Sequence, residues 1–194
     1  TVTLDSFTEG RDRFLLGFSL KMLLSNQFGK IADAAFTLNA YNSLYFMMAL
    51  LGAVAYTLHI YYDFAAYSHM AIGLGKMFGF NFLENFNYPY ISKSIKEFWS
   101  RWHISLSTYF RDYVYIPLGG SRCSTGRNIF NLLVVWFLTG LWHGAGFNYI
   151  AWGMYYAVLL LIERYVFKNK FQSHIITMTL VVIGWIFFRA DGLR

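Results

Sequence analysis

Cysteine is almost missing from this chain. Its 194 residues hold one, Cys123, so no intrachain disulfide can close and no cysteine-built zinc site can form. That thiol lies in a Gly/Ser loop, Gly119-Gly120-Ser121-Arg122-Cys123-Ser124, with no histidine nearby to activate it as a nucleophile. Charge is scarce as well: Asp, Glu, Lys and Arg make up 13% of the residues, against about 25% for an ordinary soluble domain. The first ten residues carry Asp5 and Glu9 and no apolar core, so no signal peptide is visible there. A Gly-x-Ser-x-Gly elbow, a Walker loop and a His-Glu-x-x-His motif are all absent. His59 and His69 stand too far apart for adjacent helical turns, so the residues give no support to a metal site. There is no internal repeat and no low-complexity segment.

What is present is apolar and aromatic. Hydrophobic residues make up 57% of the chain and aromatics 21%, with the Tyr and Trp that settle at membrane interfaces. The expected fold class is an all-α polytopic membrane protein, a transmembrane helix bundle with an amphipathic or re-entrant helix. The formal charge of +6 suits anionic lipid headgroups. A surface this apolar argues against nucleic acid as a partner. Spans are expected at about 41–62, 64–83, 129–143, 147–162 and 174–188, since about 20 apolar residues cross a bilayer. Residues 1–13 read as a polar interfacial lead-in, and 14–28, interrupted by Lys21, as a short or partly inserted helix. Asn85 to Pro89 reads as a turn, with Pro89 favouring an extended residue before it. The start at Thr1 without Met, and the stop at Arg194 after an apolar run, lead us to expect a fragment forming one partial domain, 1–194.

Segment 91–114 differs in kind. Its apolar residues recur at 91, 95, 98, 102, 106, 109 and 113, steps of four and three that define one face of an α-helix. Lys93, Glu97, Arg101, Arg111 and Asp112 fall opposite, so the expected element is an amphipathic helix in the interface. His103 sits at the edge of the stripe. Segment 93–127 has six basic residues against two acidic, and 163–170 three against one. The positive-inside rule then places both on the cytoplasmic face.

Between them runs Asn128–Ile162, without formal charge and about 50 Å long if wholly helical. One span needs less, so the run should break near Gly144-Ala145-Gly146. His143 stands beside that break as the run's only imidazole. An ionisable residue in such a setting is a functional-site candidate by default. The alternative is a packing histidine bonded to a neighbouring helix, and the residues alone leave both open. A neutral imidazole can take a proton from a hydroxyl and return it to a leaving group, help worth roughly 10²–10⁴-fold in rate.

At these residues the chain resembles a known family. Phe98-Trp99-Ser100-Arg101-Trp102-His103-Ile104-Ser105-Leu106-Ser107, with Phe110-Arg111-Asp112-Tyr113-Val114-Tyr115-Ile116-Pro117-Leu118-Gly119-Gly120, is similar to one signature of the membrane-bound O-acyltransferases. Leu138-Thr139-Gly140-Leu141-Trp142-His143-Gly144-Ala145 resembles the second, which in that family carries the catalytic histidine. The likeness runs from about Gly10, through Tyr61-Tyr62-Asp63-Phe64, to Gly184-Trp185-Ile186-Phe187-Phe188-Arg189-Ala190. Pro117-Leu118-Gly119-Gly120 points to the alginate and peptidoglycan O-acetyltransferase branch more than to the D-alanyl-transferring one.

The resemblance implies acyl transfer, most simply of acetyl, from a cytoplasmic thioester to a hydroxyl of an exported cell-envelope polysaccharide. It implies His143 as base and His103 as a second active-site histidine. Trp99, Arg101 and Trp102 are candidates for the donor path or, equally, for interfacial anchors, and Asn148 for orienting an imidazole. Asp63, in a shared motif, and His69 are further substrate- or donor-path candidates. His69 stands where related acetyltransferases usually have Asp, and Ala66 where they have Gly. No tightly bound cofactor or metal is implied; the donor is acetyl-CoA or an acyl-carrier thioester. Implied partners are membrane lipids and the glycan acceptor, and an extracytoplasmic acyltransferase that finishes the transfer stays open. The implied location is the inner (plasma) membrane, multi-pass. Rival readings are D-alanyl transfer to teichoic acid, a non-catalytic transport or export subunit, and an inactive scaffold.

Overall fold

The computed structural model describes residues 3–40 and 46–190. All regular structure among them is helical. Two compact units divide the chain, Thr1–Asn85 and Phe86–Arg194.

The first unit is a helical hairpin. Helix α1 (Leu4–Leu20) runs through a π-turn (Lys21–Ser25) into α2 (Asn26–Ala40), and α3 (Phe46–Met77) packs back along both. The expected polar lead-in is therefore helix. Thr3 caps it reciprocally with Ser6, each satisfying a backbone N–H of the other. Glycines set the closeness of the pair: a Cβ on Gly10 would stand 2.6 Å from the Gly73 carbonyl oxygen, and one on Gly17 2.6 Å from that of Ala66.

The spans expected at 41–62 and 64–83 prove to be one helix, α3, about 48 Å long; residues 41–45 lie outside the described residues. Asp63 does not end a helix because its charge is met from α1–α2. Lys21 pairs with it, and Ser25 Oγ donates to its Oδ1 at 2.8 Å. Residues 80–83 continue as irregular chain; beyond them Glu84 pairs with Arg13 of α1, and Lys76 near the end of α3 pairs with Glu9 of α1.

The second unit begins with a 3₁₀ turn (Pro89–Ile91) and two short helices, α4 (Ile95–Arg101) and α5 (Ile104–Phe110), then a π-turn (Arg111–Tyr115). The single amphipathic helix expected at 91–114 is thus broken at its centre. His103 takes left-handed φ 47° and ψ 55°, which interrupts the helix and resets its register. Ile95, Phe98 and Trp102 are buried as the stripe requires, but beyond the break Tyr109 and Tyr113 are exposed. Tyr88, expected to be extended before Pro89, is also left-handed at φ 45°.

Helices α6 (Thr125–His143), α7 (Phe147–Leu161) and α8 (His174–Arg189) complete the unit, with a π-turn (Ile162–Val166) prolonging α7. The break between α6 and α7 falls at Gly144 (φ 155°), where it was expected. A Cβ on Gly140 would sit 2.6 Å from the Tyr149 carbonyl oxygen, and one on Gly153 would collide with that of Trp136, so the α6–α7 crossing is tight. Phe98, Trp152, Tyr156 and Trp185 fill the core between α4, α7 and α8.

Among the described residues no helix is long and apolar enough to cross a membrane; segments 129–143, 147–162 and 174–188 are present as helices. Large apolar side chains nonetheless face outward on both units, Phe46, Met47 and Leu51 on the first and Phe130, Trp142 and Ile175 on the second.

Candidate functional site

His143 ends α6, and the chain turns away at Gly144, so the imidazole stands at a helix terminus instead of inside a helix wall. Three rings meet it nearly edge-on: Trp142 at 4.8 Å, Trp152 at 5.0 Å and Phe188 at 5.2 Å between centroids. The packing alternative expected a hydrogen bond to a neighbouring helix and aromatic neighbours. The aromatic neighbours are present, while among the described residues no side chain or backbone group makes a hydrogen bond to this ring.

His103 is the N-cap of α5. Its left-handed backbone costs about 1–2 kcal/mol in a non-glycine residue, and strain of this kind gathers at functional sites. Its Nδ1 lies 3.3 Å from Ser105 Oγ. Trp142 links the two histidines, with the His103 ring 5.8 Å from the indole. Burial, and next the neighbouring His143, push the His103 imidazole down to about 4. It is therefore neutral at pH 7, with one ring nitrogen an acceptor and the other a donor.

Trp99 connects this pair to a cavity. Its ring meets Trp152 at 5.6 Å, Tyr156 at 4.8 Å and Trp136 at 4.8 Å. It also lines a cavity of about 470 Å³ with Lys96, Tyr115, Ser121, Leu132, Leu160, Glu163, Arg164 and Asn169. The polar lining is built by unusual backbone: Tyr115 comes from one π-turn, and Glu163 and Arg164 from another. Such turns recur at functional sites.

Glu163 is buried, and its carboxylate accepts from the backbone N–H of Ile95 (2.8 Å) and Lys96 (3.4 Å), fixing the start of α4. The Ser173 N–H and His174 Nδ1–H donate to the carbonyls of Lys93 (2.9 Å) and Ser92 (3.1 Å), tying the same segment to the start of α8. On the other wall Asn128 donates to Tyr115 (2.7 Å) and accepts from Tyr165 (2.9 Å), while Arg164 donates to Tyr115 (3.3 Å).

The remaining candidates fall elsewhere. Arg101 does not line the cavity; it pairs with Glu97 at 3.0 Å and donates to the Asn87 carbonyl at 3.1 Å. Trp102 is buried, stacked against Phe98 at 5.6 Å and tilted against Trp185 at 4.8 Å. Asn148 donates to the Phe188 carbonyl at 3.4 Å, so it holds the stretch of backbone bearing a ring that touches His143 and not an imidazole itself. Asp63 and His69 both belong to α3 in the first unit. Asp63 is held by Lys21 and Ser25, and His59 Nδ1–H donates to the Ser25 carbonyl at 3.0 Å. His69 is half-buried, its Nδ1 without a partner among the described residues. Among those residues no group of acids, histidines and cysteine gathers as a metal site.

Trp152, Lys96 and Arg164 were not singled out from the sequence. Trp152 lies in an apolar run where any ring reads as core, and only the crossing of α6 and α7 sets it against His143.

The chain matches the sequence model of the membrane-bound O-acyltransferase family over residues 7–189, and it belongs to that family of membrane proteins. It is 50% identical to the probable alginate O-acetylase AlgI of Pseudomonas aeruginosa, over all of this chain and 38% of that protein. Identity is 35% to the peptidoglycan O-acetyltransferase of Helicobacter pylori, over 93% of this chain and 36% of that one. It is 33% to the teichoic acid D-alanyltransferase of Bacillus subtilis, over 86% and 44%. The chain thus spans less than half the length of these relatives.

Proposed function

We propose that this chain carries the reaction centre of a multi-pass inner-membrane O-acyltransferase that moves an acetyl group from a cytoplasmic thioester to a hydroxyl of an exported cell-envelope polysaccharide. The observation that carries the reading is the placement of His143: an imidazole without a hydrogen bond among the described residues, one indole away from Trp99 and its cavity. In this scheme His143 takes the proton of the acceptor hydroxyl as its oxygen adds to the thioester carbonyl carbon. The tetrahedral centre collapses, the C–S bond breaks, and the departing thiolate receives that proton. The products are an ester and a free thiol, and the imidazole returns neutral. His103, neutral at pH 7, positions acceptor or donor from the other side of Trp142.

The cavity suits the donor. Lys96 and Arg164 offer charge to an anionic carrier such as acetyl-CoA or a phosphorylated acyl-carrier arm, while Trp99, Leu132 and Leu160 offer apolar surface to its thioester end. Acetyl is favoured over D-alanyl by the 50% identity to an alginate O-acetylase against 33% to a D-alanyltransferase. The acceptor is inferred from the same comparison, alginate-like or peptidoglycan. An acyltransferase outside the membrane that passes the group onward is compatible with this centre.

The test compares ester-bound acetyl in the cell's exported polysaccharides between intact and His143→Ala full-length protein at equal membrane level. Removing the base should lower acetylation by roughly 10²–10⁴-fold. Unchanged acetylation would return His143 to packing and favour the transport or scaffold readings.

A further inference from the structure

Tryptophan carries a single polar atom, and that atom can only donate. Buried indole N–H groups ordinarily find an acceptor, and a native group that does not needs an explanation. In the second unit the Nε1 of Trp99 and the Nε1 of Trp152 are both buried, and neither has a hydrogen-bond partner among the described residues. Their rings meet at 5.6 Å and 79°, and Trp152 meets His143 at 5.0 Å and 83°. Trp99 faces the cavity; Trp152 faces the histidine. The two indoles thus form a continuous ring contact from the cavity wall to His143.

We propose that the Trp152 N–H, assisted by that of Trp99, binds the carbonyl oxygen of the acyl donor and stabilises the oxyanion formed when the acceptor hydroxyl adds. The proposal rests on the acyl-transfer reading and assigns the electrophilic half of that reaction. The electron balance is simple. As the hydroxyl oxygen bonds to the carbonyl carbon, the C=O pair moves onto oxygen, and the two N–H groups hold it without giving up their protons. When the carbonyl re-forms, the pair returns and thiolate leaves. An apolar site strengthens such bonds, because no water competes for the oxyanion and the donors are already in place. The rings could instead spend their N–H groups on each other's faces, a weaker contact with no role in catalysis.

Trp185 supplies a matched control. It is as buried as Trp152, each 1% exposed, and its Nε1 also lacks a partner among the described residues. Its ring contacts those of Phe98, Trp99, Trp102, Trp152 and Phe188 but not His143, whose ring meets Trp142, Trp152 and Phe188. Loss of packing alone should thus cost the same at 152 and 185.

The experiment uses the full-length protein in membranes, acetyl-CoA labelled in its acetyl group, and thiol release together with ester-bound acetyl as readouts. Trp152→Phe and Trp185→Phe are compared with replacement of Trp152 by 3-benzothienylalanine, which keeps the ring's shape and exchanges N–H for sulfur. Both changes at 152 should lower kcat by about 10²-fold with KM for the donor little altered, since an oxyanion-hole donor acts mainly on the transition state. Trp185→Phe should cost several-fold at most. Wild-type kcat in the benzothienyl protein overturns the proposal, and equal losses from Trp152→Phe and Trp185→Phe with a normal benzothienyl protein assign the effect to packing. Where the benzothienyl protein is normal and His143→Ala is dead, the acyl-transfer reading stands without this donor pair. A wild-type protein that releases no thiol and transfers no acetyl sinks both.

Discussion

Two polar clusters, one in each unit, are satisfied in opposite ways. In the first, Lys21, Ser25, His59 and Asp63 form a cluster closed on itself, each satisfied by another member. In the second, His143, Trp99 and Trp152 lie together in an aromatic setting, and the buried indole nitrogens of Trp99 and Trp152 have no partner among the described residues. A closed cluster fixes how two helices meet. An open one costs stability and makes sense only where something else completes it. Titratable residues clustered in apolar surroundings are therefore not all equivalent, and partner accounting separates the two kinds.

Exchanging the phenotypes would break this contrast. The largest effect expected is that of His143→Ala, which should abolish most acyl transfer while the protein melts close to wild type. Next comes Gly153→Ala, whose new methyl meets the Trp136 carbonyl. Overpacking of this kind costs about 1–3 kcal/mol, and by parting α6 from α7 it should lower both melting temperature and transfer rate. Asp63→Asn should do the reverse of His143→Ala. It removes one charge from a half-exposed pair, at a cost of about 1 kcal/mol, so thermal melting should fall while transfer per folded molecule is kept. Lost turnover at unchanged melting temperature would move Asp63 into the chemistry.

The last effect concerns pH and is confined to acid. The His103 imidazole sits at about 4 in the folded protein, below its usual 6.5. As pH falls, the unfolded chain takes up this proton first, so the stability present above about 6.5 is lost progressively as pH drops through 4. Melting temperature in detergent should fall over that window, and His103→Gln should flatten the fall. An identical slope in the variant would show that other groups set the acid sensitivity.

Much of this was legible in the amino-acid sequence, and the failures have physical causes. Gly144 and Gly146 announced the break beside His143 because glycine ends a helix wherever the chain must turn sharply. The stripe from 91 to 113 was a true periodicity yet a poor guide to continuity. Steps of three and four survive a single left-handed residue, and nothing local marks His103 as that residue. Asp63 suggested a helix end because a lone acid is costly in an apolar run, but its compensating charge lies on another helix, at Lys21. Thr3 and Ser6 already carried a capping signature within what read as a polar lead-in. The partnership of Trp99, Trp152 and His143 depends on helix crossings, which no local pattern encodes.

The π-turn at Ile162–Val166 bears on how this chain tolerates changes in length. A π-turn holds one residue more than the α-helical turn it replaces. Deleting a single residue there would not open a gap, because the helix can close into ordinary α geometry. The chain beyond the deletion would keep its register, and only the residues of the turn itself would change their angular position. Arg164 would swing off the cavity wall and Glu163 away from the first N–H groups of α4. A shortened protein of this kind should still fold, insert and resist proteolysis, while its cavity has lost a cation and its tryptophan-bearing helix has lost its anchor. Length variation at this one turn is thus a means of changing the ligand without redesigning the fold.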